Sequence, residues 1–225
     1  KIRVKFDCSA EYKDANINKE LMSGPDLTNQ IISVLMRFRE EHIAFMADIE
    51  AMFYQVYVKD HQRDLLRFLW WENGNLDGNL IDHEMCVHVF GATSSPSCSN
   101  FALRKTSYEY EDKYGHQAAE TLRDNFYVDD LLKSVKDERT AIDLIQNVTK
   151  MCKDGGFHLT KFVCNNQAVL KTIPQSEQRE FTKMKEISNK EMGERALGIH
   201  WALKKIHLDL VSTSGRSQIQ EEDIY

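Results

Sequence analysis

Two adjacent carboxylates, Asp129 and Asp130, follow Tyr127 and Val128, with Phe126 before them and Leu131-Leu132 after. Asp is disfavoured inside a strand, so this pair between apolar residues points to a hairpin tip. At a tip, hard oxygen donors can hold divalent cations out into a cleft, which is the donor set of two-metal nucleotidyl transfer. A solvated turn between two strands is the plain alternative. The chemistry needs a third carboxylate on a neighbouring strand, because Mg2+ takes oxygen ligands and keeps part of its shell for substrate phosphates. Asp48 is the candidate. It follows the apolar run Ile43-Ala44-Phe45-Met46-Ala47, where an ionised side chain is costly to bury unless paired or metal-bound. A turn cap is the other reading of Asp48. Set beside Asp129 across a sheet, Asp48 would share two ions with it. One ion would activate a hydroxyl nucleophile and the other would hold phosphates, with Asp130 the less direct member.

Elements on either side must position these groups. Residues 1–7 alternate charged and apolar side chains, the pattern of a half-buried strand. Leu27, Ile31, Val34, Leu35 and Phe38 recur at helical spacing, with Pro25 and Asp26 suited to the helix start. Ile43 to Asp48 reads as a buried strand. Residues 60–82 read as an irregular strand pair turning at Asn73-Gly74 and Asp77-Gly78, and residues 84–90 as another strand. Ser94-Ser95-Pro96 predicts a helix with a Ser cap and Pro at the first position. The carboxylate hairpin spans about 122–135. Asp137 caps a helix whose apolar face is Ala141, Leu144, Ile145, Val148 and Cys152, ended by Gly155-Gly156. Phe157, Leu159 and Phe162 suit a strand; residues 175–192 are polar and ambiguous; 196–201 predict a turn and a short strand. This order fits an α+β fold with an antiparallel sheet and helices on one face.

Composition sets limits. The 225 residues are 42% hydrophobic and 28% charged, which excludes a disordered chain and a membrane protein, and no run is long enough to span a bilayer. There is no secretory signal, and the start without Met reads as a fragment of something longer. The 5 cysteines contain no C-x-x-C pair, which argues against a zinc site or a disulfide framework and for a reduced, intracellular compartment. The net charge of −6 runs against nucleic-acid binding, although Glu221-Glu222-Asp223 supplies half of it and metal-binding carboxylates count as negative until loaded. Basic pairs remain at Arg37/Arg39, Arg63/Arg67, Arg104/Lys105 and Lys204/Lys205, alongside Lys1/Arg3/Lys5, and most of them read as ordinary solvated surface.

Asp48 with Phe53 five residues on, followed by the Tyr-x-Asp-Asp box, resembles the palm of a retroelement reverse transcriptase. Phe6-Asp7-Cys8-Ser9-Ala10, Ser23-Gly24-Pro25-Asp26-Leu27, Arg67-Phe68-Leu69-Trp70-Trp71 and Phe90 through Asn100 look like the BEL/Pao group of LTR retrotransposons. The resemblance covers about residues 1–205. It implies a reverse-transcriptase-like palm plus partial fingers: a fingers strand at 1–16, palm at 17–56, fingers at 57–94, palm with a primer-grip-like hairpin at 95–205, and an unassigned tail at 206–225.

The same resemblance implies an RNA-directed DNA polymerase with two Mg2+ ions, Mn2+ being the substitute, on Asp48, Asp129 and Asp130. Arg3 would contact the incoming triphosphate, a role that suits its bidentate donors. Phe53 would exclude a 2′-hydroxyl by bulk. Phe90 and Gly91, within the family's Gly-x-x-x-Ser-Pro segment, would pack on template and nucleotide. Ile49, Tyr127 and Val128 would flank the substrate, and Lys161 would protonate the pyrophosphate leaving group. Leu197, Gly198 and Ile199 resemble the primer grip. The implied partners are an RNA or DNA template with its primer and deoxynucleoside triphosphates. The parent polyprotein would carry protease, RNase H and integrase, in a cytoplasmic virus-like particle. Two other readings stay open: a catalytically silent, retrotransposon-derived module that binds nucleic acid or protein, and, more distantly, a metal phosphohydrolase.

Overall fold

The computed structural model describes residues 5–179 together with strand segments 193–196, 199–202 and 207–209. In chain order the elements are α1 (Ile17–Glu20), α2 (Ile31–Phe38), β1 (Ile43–Ile49), β2 (Arg67–Trp71), β3 (Leu80–Glu84), α3 (Ser95–Glu109), α4 (Glu111–Tyr114), α5 (His116–Asp124), β4 (Phe126–Tyr127), β5 (Asp130–Val135), α6 (Glu138–Asp154), β6 (Leu159–Cys164) and α7 (Gln167–Leu170). The chain divides into two compact units, Lys1–Glu180 and Phe181–Tyr225, a division that falls inside the segment 95–205. In the second unit, β7 (Gly193–Ala196), β8 (Ile199–Ala202) and β9 (His207–Asp209) form an antiparallel sheet.

A four-stranded antiparallel sheet, ordered β4-β5-β1-β6, organises the first unit. β1 is apolar at successive positions because both its faces are covered. Phe45, Ala47 and Ile49 join Leu131 and Val135 of β5 in one core with Leu103 of α3, Leu122 of α5 and Leu144 of α6. Burying a side chain such as Phe45 contributes about 2–3 kcal/mol. The alternate residues, Ala44, Met46 and Asp48, face the other way with Leu132 and Ser134. There the shorter α2 packs, and Ser134 Oγ donates to the Arg37 carbonyl at 2.9 Å. The three long helices thus share one face, and α2 takes the other.

α6 follows the sequence expectation closely. Asp137 Oδ1 accepts from the Thr140 N–H at 2.9 Å, which holds its carboxyl below the usual range. The apolar stripe Ala141, Leu144, Ile145, Val148 and Cys152 is buried. The helix stops where Gly156 takes φ +84. α3 begins at Ser95 with Pro96 second, but Ser94 makes no side-chain cap; Ser95 Oγ instead donates to the Val89 carbonyl at 2.7 Å.

Several expectations give way to long-range bonds. α2 starts at Ile31 rather than near Pro25. Asp26 Oδ1 accepts from the Thr28 N–H in a local turn, and the Asn29 side chain reaches across to the α5–β4 connection, so 26–29 stay out of the helix. Residues 5–7 lie outside any strand, and Phe6 packs edge-on to Phe68 with ring centroids 6.0 Å apart. Residues 60–66 form a 3-10 helix before the β2–β3 hairpin. Between 85 and 90 only a bridge of Tyr57 to Val87 is strand-like.

Each basic pair among the described residues has at least one arginine engaged within the chain. Arg37 donates to the Asp124 carbonyl, Arg63 Nε to the Val58 carbonyl at 3.0 Å, and Arg104 to the Leu27 carbonyl at 3.2 Å. Arg67 pairs with Asp82. No helix among the described residues is long and apolar enough to cross a membrane.

Candidate active site

Register brings the carboxylates together. Asp48, the penultimate residue of β1, lies directly across from Asp130, the first residue of β5. Val128 and Asp129 form the two-residue turn between β4 and β5, closed by the Tyr127–Asp130 pair. The Ile49 N–H donates to the Asp129 carbonyl at 2.9 Å, tying the turn to β1 next to Asp48. Val128 takes φ +56. A two-residue hairpin wants positive φ at its first position and usually finds Gly there. A β-branched residue in that conformation is strained by about 1–3 kcal/mol.

Val128→Gly should therefore stabilise the chain by about 1 kcal/mol once the added freedom of the unfolded chain is subtracted. Thermal unfolding should show the midpoint rising by roughly 2–4 °C. A fall in the midpoint would mean that the turn is not strained.

Lys161 reaches the same place by a bulge. β6 pairs Thr160 with Asp48 and Val163 with Met46, so one residue is extra between them, and Lys161 takes φ +56 there. Bulges re-aim side chains. Here Lys161 Nζ donates to Asp48 Oδ1 at 2.8 Å.

Asp48, Asp129 and Lys161 line a cleft of about 460 Å³, with Phe90 and Ala51 on its wall. Asp130 does not line it. Burial pushes the Asp129 carboxyl up, and the Asp48 charge adds to this, against its own backbone N–H and Lys161. Asp130 is pushed up to about 6 by burial, then by Asp129 and Asp48, with Arg179 and Lys161 opposing. Both carboxyls are thus raised mainly by burial and further by their neighbouring carboxylates, and a divalent cation would offset both. Among the described residues no three Asp, Glu, His or Cys close into a ready-made cage. Mg2+ does not need one: one or two carboxylates plus substrate phosphates and water complete its shell. The donor set fits on that footing.

The other expected site residues divide. Phe90 lines the cleft, 38% exposed, and its ring centroid lies 4.8 Å from that of half-buried Phe53. Phe53 itself is not on the cleft wall; Tyr54 meets Phe90 edge-on at 5.5 Å. Gly91 takes φ +105, and a Cβ there would fall 2.2 Å from the Phe6 carbonyl oxygen, so the close backbone approach it allows is to the chain's own N-terminal segment. Tyr127 is half-buried beside Asp130. The Ile49 side chain is fully buried in the core, away from the cleft, and only its backbone serves the site. Arg3, Leu197 and Gly198 lie outside the described residues; Ile199 opens β8, paired with Ala196.

Sequence reasoning missed another part of the lining. His158 stands between Glu50, 3.2 Å from Nδ1, and Glu177, 3.1 Å from Nε2, and all three line the cleft with Thr160 and Ser176. Glu50 and His158 are also joined through the backbone, N–H to carbonyl at 2.9 Å. No spacing signals this group, since its members come from the end of β1, the start of β6 and the turn after α7.

No protein-family model matches the chain, and no curated protein matches it. Solved structures do. A foamy viral protease-reverse transcriptase in complex with double-stranded DNA superposes with a TM-score of 0.50 at 14% identity over 84% of this chain and 31% of its own. Another structure of that viral protein, described as dRH and also bound to double-stranded DNA, gives 0.51 at 14% identity over 70% of this chain and 23% of its own. The chain therefore spans less than a third of the proteins it matches, and what they share with it is a reverse-transcriptase-like α+β fold.

Proposed function

We propose that this fold carries an RNA-directed DNA polymerase centre that joins a deoxynucleotide to a primer 3′-hydroxyl, in an element of the BEL/Pao type. One observation carries the reading. The β1–β5 register and the bond from the Ile49 N–H to the Asp129 carbonyl set Asp48 and Asp129, 81 positions apart in sequence, on one cleft wall. Mg2+ held by Asp48 and Asp129, with Asp130 adding negative charge beside them, would supply Lewis-acid activation of the hydroxyl and of the triphosphate. Mn2+ would serve in its place.

The chain's own residues do the rest. Lys161 balances charge at Asp48 and stands in the cleft where a leaving pyrophosphate would collect its proton. Phe90 forms the apolar wall and Phe53 backs it through ring contact. Template, primer and deoxynucleoside triphosphates would enter the cleft. Purified protein given an RNA template, a DNA primer, deoxynucleotides and Mg2+ should extend the primer. Folded protein that extends nothing would defeat the polymerase reading and favour a silent binding module.

Sugar selection should follow from the two rings. Phe53→Val removes the backing and Phe90→Ala the wall itself. Each should lower discrimination against ribonucleotides by about 10-fold or more, since a lost apolar contact of this size is worth that much in specificity. Competing ribo- and deoxynucleotide incorporation measures it. Unchanged selection in both variants would rule out an aromatic gate here.

A further inference from the structure

The hairpin that carries Asp129 includes the shortest strand of its sheet. β4 has only two residues and lies at the sheet edge, with β5 on one side and, among the described residues, no strand on the other. Backbone groups alternate in direction along a strand. The Asn125 carbonyl turns inward and accepts from the Leu132 N–H at 2.9 Å. The next carbonyl, that of Phe126, turns outward, where an edge strand leaves it without a partner. Just upstream, α5 ends at Asp124, so its last carbonyls also lack helical donors.

One side chain meets both needs. Asn29 Nδ2 donates to the Arg123 carbonyl at 2.9 Å and to the Phe126 carbonyl at 2.8 Å. Asn29 is itself held: its Oδ1 accepts from Arg104 Nη2 of α3 at 3.1 Å, and the same nitrogen donates to the Leu27 carbonyl at 3.2 Å. The segment around it is pinned again where Ser97 Oγ donates to the Pro25 carbonyl at 2.9 Å. The loop before α2 thus acts as an outer neighbour for β4, using an amide side chain in place of a strand.

We infer that Asn29 is a positioning residue for the carboxylate turn. The turn is held from inside by the Ile49 N–H on the Asp129 carbonyl and from outside by Asn29 on the Phe126 carbonyl, three residues earlier. Asn29 hydrogen-bonds neither Asp48 nor Asp129; it sets where Asp129 stands relative to Asp48. This deepens the polymerase reading, but the positioning claim can be tested without it.

The test is amide hydrogen exchange on metal-free protein, wild type against Asn29→Leu, which keeps the volume and removes both donors. Loosening the turn should expose the Ile49 N–H, so its exchange should quicken by about 10-fold relative to Met46 and Phe45 in the same strand. A merely structural role would quicken all three alike, and that result, or no change, overturns the inference. Leu66→Ala, a truncation in the separate small core of Cys8, Val58, Leu66, Val89 and Ala92, and Cys152→Ala in the main core serve as controls for general destabilisation and should show no selective effect at Ile49. Mn2+ titration read by electron paramagnetic resonance adds an independent measure. Asn29→Leu should weaken Mn2+ binding several-fold where Cys152→Ala does not. If wild type binds no Mn2+ that Asp129→Asn abolishes, the polymerase reading fails, and the Ile49 exchange still decides the role of Asn29.

Discussion

Asp129→Asn should abolish primer extension, cutting the single-turnover rate by about 1,000-fold or more. Replacing one carboxylate oxygen with an amide removes a charge from a cleft that Asp129 and Asp48 line together. A divalent ion contributes several kcal/mol of transition-state charge stabilisation, and about 4 kcal/mol is roughly a thousandfold in rate. The geometry gives little room for rescue. Asp130 does not line the cleft, and Lys161 already occupies one oxygen of Asp48. The variant should remain folded, because Asp129 is a carboxylate pushed up by burial and by Asp48, so neutralising it removes repulsion rather than support. Circular dichroism checks the fold, and rapid quench with saturating Mg2+ gives the rate. A rate within ten-fold of wild type would exclude Asp129 as a metal ligand. Asp48→Asn should behave alike in rate, with one difference: Lys161 then loses its ion-pair partner in the cleft.

The carboxylates were legible in the sequence because local rules govern them. Two Asp residues after an aromatic and before Leu131-Leu132 cannot continue a strand comfortably, so they mark a turn, and the structure turns at Val128-Asp129 with Asp130 opening β5. Asp48 stood out because it ends an apolar run, and β1 is indeed covered on both faces. α6 was legible for the same reason: its cap, apolar stripe and terminating glycines are all contained in about 20 residues of sequence. What escaped was decided by bonds between distant segments. The start of α2 was lost to Asn29, whose partners lie 94 and 97 positions away. Lys161 reaches Asp48 only because β6 carries a bulge, and a one-residue insertion in a strand has no compositional mark when the inserted residue is not Gly. Gly91 was read as room for a ligand, and the neighbour that needs the room is Phe6. The basic pairs suggest ordinary solvated surface, yet Arg37, Arg63 and Arg104 are turned onto main-chain carbonyls, which a charge pattern cannot reveal.

Metal-free protein should lose stability as pH rises from about 4 to about 7, and Asp130 should account for most of the loss. Its carboxyl, ordinarily at 3.8, is pushed up to about 6 in the folded chain. A carboxyl raised on folding favours the folded state when protonated. The benefit is therefore complete below the unfolded value and disappears as pH climbs through the folded one. A shift of this size would correspond to about 3 kcal/mol, and partial exposure of Asp130 to screening water reduces it to about 1–2 kcal/mol. Asp129 is raised as well and contributes with the same sign. Carboxylates held down by their partners act in the opposite sense and in another window. Asp137 with Thr140, Asp154 with Lys113, and Glu111 with Arg123 lose their contribution only as pH falls below the ordinary carboxylate range. Stability without metal should therefore peak near about pH 4, where the raised carboxyls are still protonated in the folded chain and the lowered ones still ionised. Asp130→Asn should remove most of the slope above that peak, leaving the variant about 1–2 kcal/mol more stable than wild type at about pH 8. Excess Mg2+ should flatten the wild-type slope by neutralising the same crowded charge, since a ligand bound only by the folded state stabilises it. Urea unfolding across this range, in chelator and in Mg2+, measures all three curves. A wild-type stability that stays level from about pH 5 to about pH 8 in chelator would refute the crowding of these carboxylates. A slope that survives Asp130→Asn would place its source elsewhere. The same burial and mutual repulsion that cost the free protein stability make the cleft attractive to a divalent cation, so the variant that folds best at neutral pH should bind that cation worst.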